Sequence, residues 1–320
     1  MHSKLNNKFI NLETILFSVL YFSLLLGFLF NENSTGGAYL DYVNQKKISQ
    51  AFSENFFQSF LNYDSFTTRH SPVLIIFLSF LENLSLNDYI IRIFHLHLCL
   101  LLPLFFYLSL KIKYSEINKT ILLLVTGLIF ISPTFRSLSI WPDSRILGLS
   151  FFCISIYFFL RFSVEKKFIF VVANIFFYAI ASYFSPNFSV FSIFFLYKYF
   201  YLINYKSFKF IIIIVANIFL AIPAIYYVFV LDVNFLNKSA AIGISDKESI
   251  FFNNIFNQLL IIPTIIIFYV FPLIILKIIK ISKVIEFKNI VFSIIILLIS
   301  IYFFDYKYEY SGGGIFFKIS

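Results

Sequence analysis

The sequence predicts an all-α polytopic membrane protein. It has about nine transmembrane helices, a short re-entrant or interfacial helix, and an amphipathic surface helix in its first outer loop. Three observations carry this. Hydrophobic residues make up 60% and charged residues 13% of the 320, where soluble domains carry about 25% charged residues. The mean hydropathy is +0.88. Apolar runs follow one another from Thr14 to Phe304, and Lys and Arg alternate between the loops that join them.

A span needs roughly 17–25 apolar residues. The candidates are 12–30, 89–110, 119–133, 146–162, 168–184, 187–204, 209–230, 254–276 and 287–304. One further run, Pro72 to Leu84, is short. The loops 111–119, 161–167, 198–209 and 277–288 hold 13 Lys and Arg, and the alternating loops hold four, namely Arg136, Arg145, Lys238 and Lys247. The positive-inside bias therefore predicts that the first set is cytoplasmic. Lys4 and Lys8 place the N-terminus on the same side. Residues 31–71 are then outside and 111–119 inside, which allows one crossing between them. Pro72–Leu84 is thus predicted not to cross.

The first apolar run, Ile15 to Phe30, lacks a small-residue cleavage site and reads as a retained span. Cys99 and Cys153 fall inside apolar runs, as small buried hydrophobes do. The net charge of +9 is spread over short loops, as in an orientation signal, so no nucleic-acid partner is expected. The abundance of Phe, 48 residues, reads as base composition and not as an aromatic site. No Gly-rich phosphate loop, Cys-x-x-Cys pair or Ser nucleophile elbow is present, which argues against a soluble nucleotide-dependent catalytic domain.

Chemistry in such a chain is confined to its polar loops. In the first, Ile48, Phe52, Phe56 and Phe60 recur every four residues while Lys46, Lys47, Glu54 and Gln58 lie on other faces. This pattern predicts a helix lying on the membrane surface. Asp41 stands just before it. It reads either as an acid complementing a helix dipole or as a general base at the membrane boundary. Tyr63–Pro72 brings Asp64, Arg69 and His70 to the start of the short apolar helix, where Pro72 suits the first helical position. Arg69 and His70 read equally as solvated loop residues. Arg92, His95 and His97 lie inside a span, where charge is costly and marks function or pairing, although Arg92 is near enough to the end to snorkel. Ser132–Arg145 holds the single Trp, Arg136, Asp143 and Arg145 between two spans. It reads as an interfacial Trp anchor or as a phosphate-binding loop, since guanidinium groups suit phosphate oxygens.

These features together resemble the GT-C superfamily of polyprenyl-phosphate-sugar-dependent glycosyltransferases, such as the protein O-mannosyltransferases and the dolichol-pathway glucosyltransferases. The resemblance covers roughly residues 10–230. It rests on the acid Asp41 early in the first outer loop, the run Thr67–Ile75 opening a short helix, the entry Asp88–Arg92, and the loop Ser132–Arg136 through Asp143 followed by an aromatic-ended span at Ile154–Phe159. Asp41 is followed by Tyr42 where a second acid would form a metal-binding pair.

The resemblance implies a catalytic module over 1–230, with further membrane helices and an outer tail over 231–320. Because that family usually runs longer, it also implies a continuation past Ser320. It implies a polyprenyl-phosphate-linked sugar as donor and a glycan, lipid or protein as acceptor. The site would face the periplasm of a bacterial inner membrane. Asp41 would be the general base, Arg69, His70, Arg92, Arg136 and Asp143 would bind substrate, and no metal or other cofactor is favoured. The competing expectation is a transporter or flippase of a lipid-linked or small polar substrate. That class wants charges along the bundle interior and internal repeats. The spans here are nearly uncharged apart from Arg92, His95 and His97, and no clear repeat is visible.

Overall fold

The computed structural model describes residues 12–66, 68, 70–203 and 206–233, with Ile294, Ile295, Leu298 and Tyr302. The chain divides into a unit over 1–239 and a second over 240–320. The predicted spans 254–276 and 287–304 lie outside the described residues, those four positions apart. Among the described residues every regular element is a helix.

Among the described residues twelve α-helices follow one another: α1 (Leu12–Leu29), α2 (Ala38–Glu54), α3 (Phe56–Leu61), α4 (Pro72–Asn83), α5 (Asp88–Cys99), α6 (Leu101–Lys113), α7 (Lys119–Ile131), α8 (Pro133–Ile140), α9 (Ser144–Glu165), α10 (Phe168–Phe184), α11 (Phe191–Leu202) and α12 (Phe208–Ile225). Local chemistry explains the boundaries. Side chains of Ser71, Asn87, Asn118, Ser132, Asp143 and Ser207 accept a backbone N–H at the start of α4, α5, α7, α8, α9 and α12, satisfying donors that a helix start leaves open. Lys166 closes α9 in the left-handed region at φ +57°. Pro223 leaves α12 without one N–H, and the helix ends in a wider π-helical turn at Tyr226–Val230.

Among the described residues three helices are long and apolar enough to cross a membrane: Asp88–Lys113 (α5 with α6), Ser144–Glu165 and Phe208–Val230. A fourth is long enough if α7 and α8, bent by 63°, count as one. The bend falls where Ser132 precedes Pro133, which pushes Ser132 into the extended region. α5 and α6 part at Leu100 because Pro103 has no N–H to bond the Cys99 carbonyl. Thr14–Leu29, Pro72–Asn83 and Phe168–Phe184 are apolar but shorter. Large apolar side chains, among them Phe22, Leu128, Ile169, Ile193 and Phe219, stand exposed on the bundle exterior. Water would not tolerate so extensive a coat. The apolar helices mark a membrane protein.

The helix ends sort into two groups. At one end α1, α8 and α10 finish and α5 and α9 begin. Arg92 of α5 reaches Asn31 after α1, Arg136 of α8 reaches Glu32, and Ser71 donates to the Tyr183 carbonyl of α10 at 2.5 Å. Tyr227, past α12, donates to the Phe60 carbonyl. At the other end Lys209 of α12 lies over Phe168 of α10, and Phe162 of α9 meets Tyr199 of α11. α9 packs along both α6 and α10. At Gly148 a Cβ would stand 2.8 Å from the Ser185 Cβ, so only glycine allows that approach.

α2 and α4 run antiparallel on the first end. Ser49 bonds Glu82, and Ser53 meets Ser79. α4 starts at Tyr183 and leads to Asp88, which holds Lys46 at 2.7 Å and also accepts from Tyr42. Both ends of α4 therefore touch the same end of the bundle. The predicted surface helix differs in two respects, the first being that it takes Asp41 into its first turn, where the sequence sets that acid just before it. Second, it breaks at Asn55, whose side chain accepts from the Gln58 N–H and starts α3 anew. Phe52 is consequently buried with Tyr63 and Ile75, whereas Phe56 and Phe57 stay exposed. The buried face of α2 is partly polar, with Gln45 and Ser49 among Ala38, Tyr42 and Phe52.

Candidate functional site

The polar end is built where four chain segments meet: the exit of α1, the start of α2, the start of α5 and the α8–α9 connection. Asp143 is the N-cap of α9. Its Oδ1 accepts the Arg145 backbone N–H at 2.7 Å, and its two oxygens accept Nε and Nη2 of the Arg145 guanidinium at 2.6–3.1 Å. Arg145 also donates through Nη2 to Asp41 Oδ2 at 2.9 Å, across 104 residues of sequence. One guanidinium thus bridges two carboxylates. Their environments differ: the Asp143 side chain is 2% exposed, those of Asp41 and Arg145 39% and 46%. Asp143 is a buried anchor, while Asp41 and Arg145 can reach a ligand. Among the described residues Nη1 of Arg145 makes no hydrogen bond.

Burial pushes the Asp143 carboxyl up. The Arg145 guanidinium more than offsets this, with a further contribution from His70, and holds it below the usual carboxylate range. His70 is half-buried at the entry to α4 and close enough to act on Asp143 electrostatically.

A second ion pair lies beside the first. Arg136 donates Nε and Nη2 to the Glu32 carboxylate at 2.6–2.9 Å, and further to the Ser23 carbonyl at 3.0 Å. The Glu32 carbonyl accepts from Trp141 Nε1 at 3.0 Å. The Arg136 guanidinium holds the Glu32 carboxyl below its ordinary value, against a smaller opposing effect of burial. Trp141 is buried, so it is not a lipid-facing anchor. Arg92, equally buried, stacks on its ring at 3.6 Å from the centroid and donates to the Ile140 carbonyl and to Asn31. Arg92 therefore points into the protein and does not snorkel.

Of the residues singled out in sequence, Asp41 and Asp143 meet through Arg145. His70 lies near Asp143, and Arg92 and Arg136 hold the adjoining wall. Arg69 lies outside the described residues. His95 is buried deeper, its Nε2 3.0 Å from the Leu138 carbonyl and 3.3 Å from the Cys99 sulfur, with Nδ1 unpartnered. His97 pairs with Tyr21 at 2.8 Å, away from this cluster. Among the described residues no group of three or more His, Cys, Asp or Glu is placed to hold a metal ion.

Sequence reasoning placed Arg145 in the candidate phosphate-binding loop without giving it a role of its own, and missed Glu32. Arg145 had a usable signal: Asp143 directly before an apolar run is an N-cap signature, which places the second residue after it beside the carboxylate. Glu32 offered none, because its partner is 104 residues away.

Both depressed carboxyls bind protons more weakly folded than unfolded. The stability they contribute is present above the unfolded carboxylate range, near pH 4, and is lost as pH falls through their lower folded values. Thermal unfolding in detergent is expected to show a flat midpoint between about pH 7 and 5 and a falling one below about 4. A midpoint that rises on acidification would contradict the two ion pairs.

In comparisons with known proteins, no family model, curated protein or solved structure matches this chain.

Proposed function

We propose that the chain is a membrane glycosyltransferase of the GT-C kind, moving a sugar from a polyprenyl phosphate to an acceptor hydroxyl. The observation that carries this reading is the pair Asp41 and Arg145, a reachable carboxylate beside a reachable guanidinium at the polar end of an apolar bundle. Asp41 takes the acceptor O–H proton. The acceptor oxygen bonds the anomeric carbon from the face opposite the leaving group, so configuration inverts. The bond from that carbon to the phosphate oxygen breaks, and its electron pair leaves with the lipid phosphate. Arg145 meets that charge through Nη1, a charge-assisted contact that strengthens as the phosphate leaves. Asp143 positions Arg145. Arg136 and Arg92, engaged by Glu32 and by Trp141 and Asn31, shape the wall and add positive potential. His70 borders the site from the α4 entry, and the resemblance adds Arg69, the residue before it in sequence.

The chain reads as a multi-pass protein of a bacterial inner membrane with this end facing the periplasm. α2 and α4 then lie along the outer surface, since both ends of α4 touch one end of the bundle. The Lys-rich end faces the cytoplasm. A maleimide reagent is expected to label Glu116→Cys only after cells are permeabilised; labelling in intact cells would reverse the orientation. The transfer itself is tested with membranes holding the protein and a panel of labelled polyprenyl-phosphate sugars. Label should pass to an acceptor with one of them, and no transfer from any would remove the reading.

A transporter or flippase is the second reading. It is favoured by buried His95, whose Nδ1 has no partner and whose ring lies within the electrostatic reach of Asp143, as in an interior proton path. Movement of lipid-linked sugar across vesicles without glycosidic transfer would select it.

A further inference from the structure

We infer that the basic end of the protein carries a binding site for an anionic phospholipid, in a groove between α6, α9 and α11. The groove has a volume of about 840 Å³, within the range of pockets that hold small ligands. Two lysines, Lys113 and Lys198, line it with Ser163 and Tyr197, and Phe159 and Phe194 form its apolar wall. The ammonium of Lys198 lies 5.6 Å from the Phe194 ring and 5.8 Å from that of Tyr197. Neither lysine has a carboxylate partner among the described residues. Glu165, one of two acids between Lys111 and Lys209 other than Asp143, is taken by Arg161 and Lys167; the other is Glu116.

The two halves of the lining name the occupant. Two unpaired ammonium groups suit a phosphate. The apolar wall continues to exposed Val164 and Tyr201 on the bundle surface, so it suits acyl chains entering from the bilayer. A soluble anion would leave that wall uncovered, and a zwitterionic lipid would bring its own cation up to the two ammonium groups. Basic pockets between spans on the cytoplasmic side are where anionic headgroups bind. The inference does not rest on the transfer chemistry, because the groove is at the opposite end from Asp41 and Arg145.

The test is native mass spectrometry of the full chain in detergent, titrated with dioleoyl phosphatidylglycerol or with dioleoyl phosphatidylcholine. The first is expected to bind more tightly, as a single saturable ligand. Lys113→Ala with Lys198→Ala should weaken it about 25-fold, roughly fivefold per lysine, and leave phosphatidylcholine unchanged. Lys111→Ala with Lys119→Ala, the same charge change outside the groove, should have little effect. Ser163→Trp, which fills the groove and keeps both charges, should weaken binding while circular dichroism shows the helices intact. Equal binding of the two lipids, an equal loss from the outside pair, displacement by inorganic phosphate, or no binding at all would each overturn the site.

Discussion

Asp41→Asn is expected to lower sugar transfer by about 10²–10⁴-fold, the usual cost of losing a general base, while the protein stays folded. The amide keeps the shape of the carboxylate and can still accept from Arg145, but it cannot take the acceptor proton. The two side chains of its ion pair with Arg145 are 39% and 46% exposed, and pairs so open to water contribute about 0–1 kcal/mol. The unfolding midpoint should therefore barely move, and donor binding should persist. Arg145→Ala separates the roles. It removes the phosphate contact and strands Asp143, a buried carboxylate, so donor binding, turnover and stability should fall together. Near-normal turnover by Asp41→Asn would falsify the base assignment and leave Asp41 as an acid at the start of α2.

Arg136→Ala is expected to destabilise the fold by roughly 3 kcal/mol, the scale of breaking a buried pair and leaving one charge behind. The Arg136 and Glu32 side chains are only 16% and 25% exposed, and the guanidinium also ties α8 to the Ser23 carbonyl inside α1. Gly27 makes room for the pair: a Cβ there would sit against the Glu32 carboxylate and 2.7 Å from Arg136 Nη2. Gly27→Ala should reproduce part of the loss. Glu32→Gln in the Arg136→Ala background should recover stability, because the stranded charge is gone. Denaturation in detergent reads all three. If Arg136→Ala instead unfolds like the wild type and loses only donor affinity, Arg136 is a phosphate ligand, as the sequence resemblance implies.

Much of the helical layout is legible in the amino-acid sequence. Helix starts at Ser71–Pro72, Asn87, Asn118, Ser132–Pro133 and Ser207 follow from side-chain caps and proline placement, which act over a few residues. The alternation of Lys and Arg anticipates the two ends of the bundle, because charge at loops is a local property. The short apolar run at Pro72 is set apart from the spans by its length together with the parity of the Lys and Arg loops. The break at Asn55 is not legible in this way, because the four-residue apolar rhythm of Ile48, Phe52, Phe56 and Phe60 runs straight through it. Only the capping bond from Gln58 and the burial of Phe52 under Tyr63 and Ile75 show that the rhythm belongs to two helices.

Composition, periodicity and capping are short-range properties. They are enough to establish that this chain is helical and apolar, where its polar loops fall, and that Asp41, His70, Arg92, Arg136 and Asp143 stand at helix ends or in loops. They do not say which charge meets which, and that choice belongs to the packing. Arg145 rather than Arg136 bridges to Asp41, Glu32 takes Arg136, and Arg92 turns inward onto Trp141. An ion pair needs its atoms within about 4 Å, while the partners lie 104 residues apart for both Asp41–Arg145 and Glu32–Arg136. At that separation the packing of α1, α2, α8 and α9 fixes the choice of partner, and nothing in the neighbourhood of either residue encodes it.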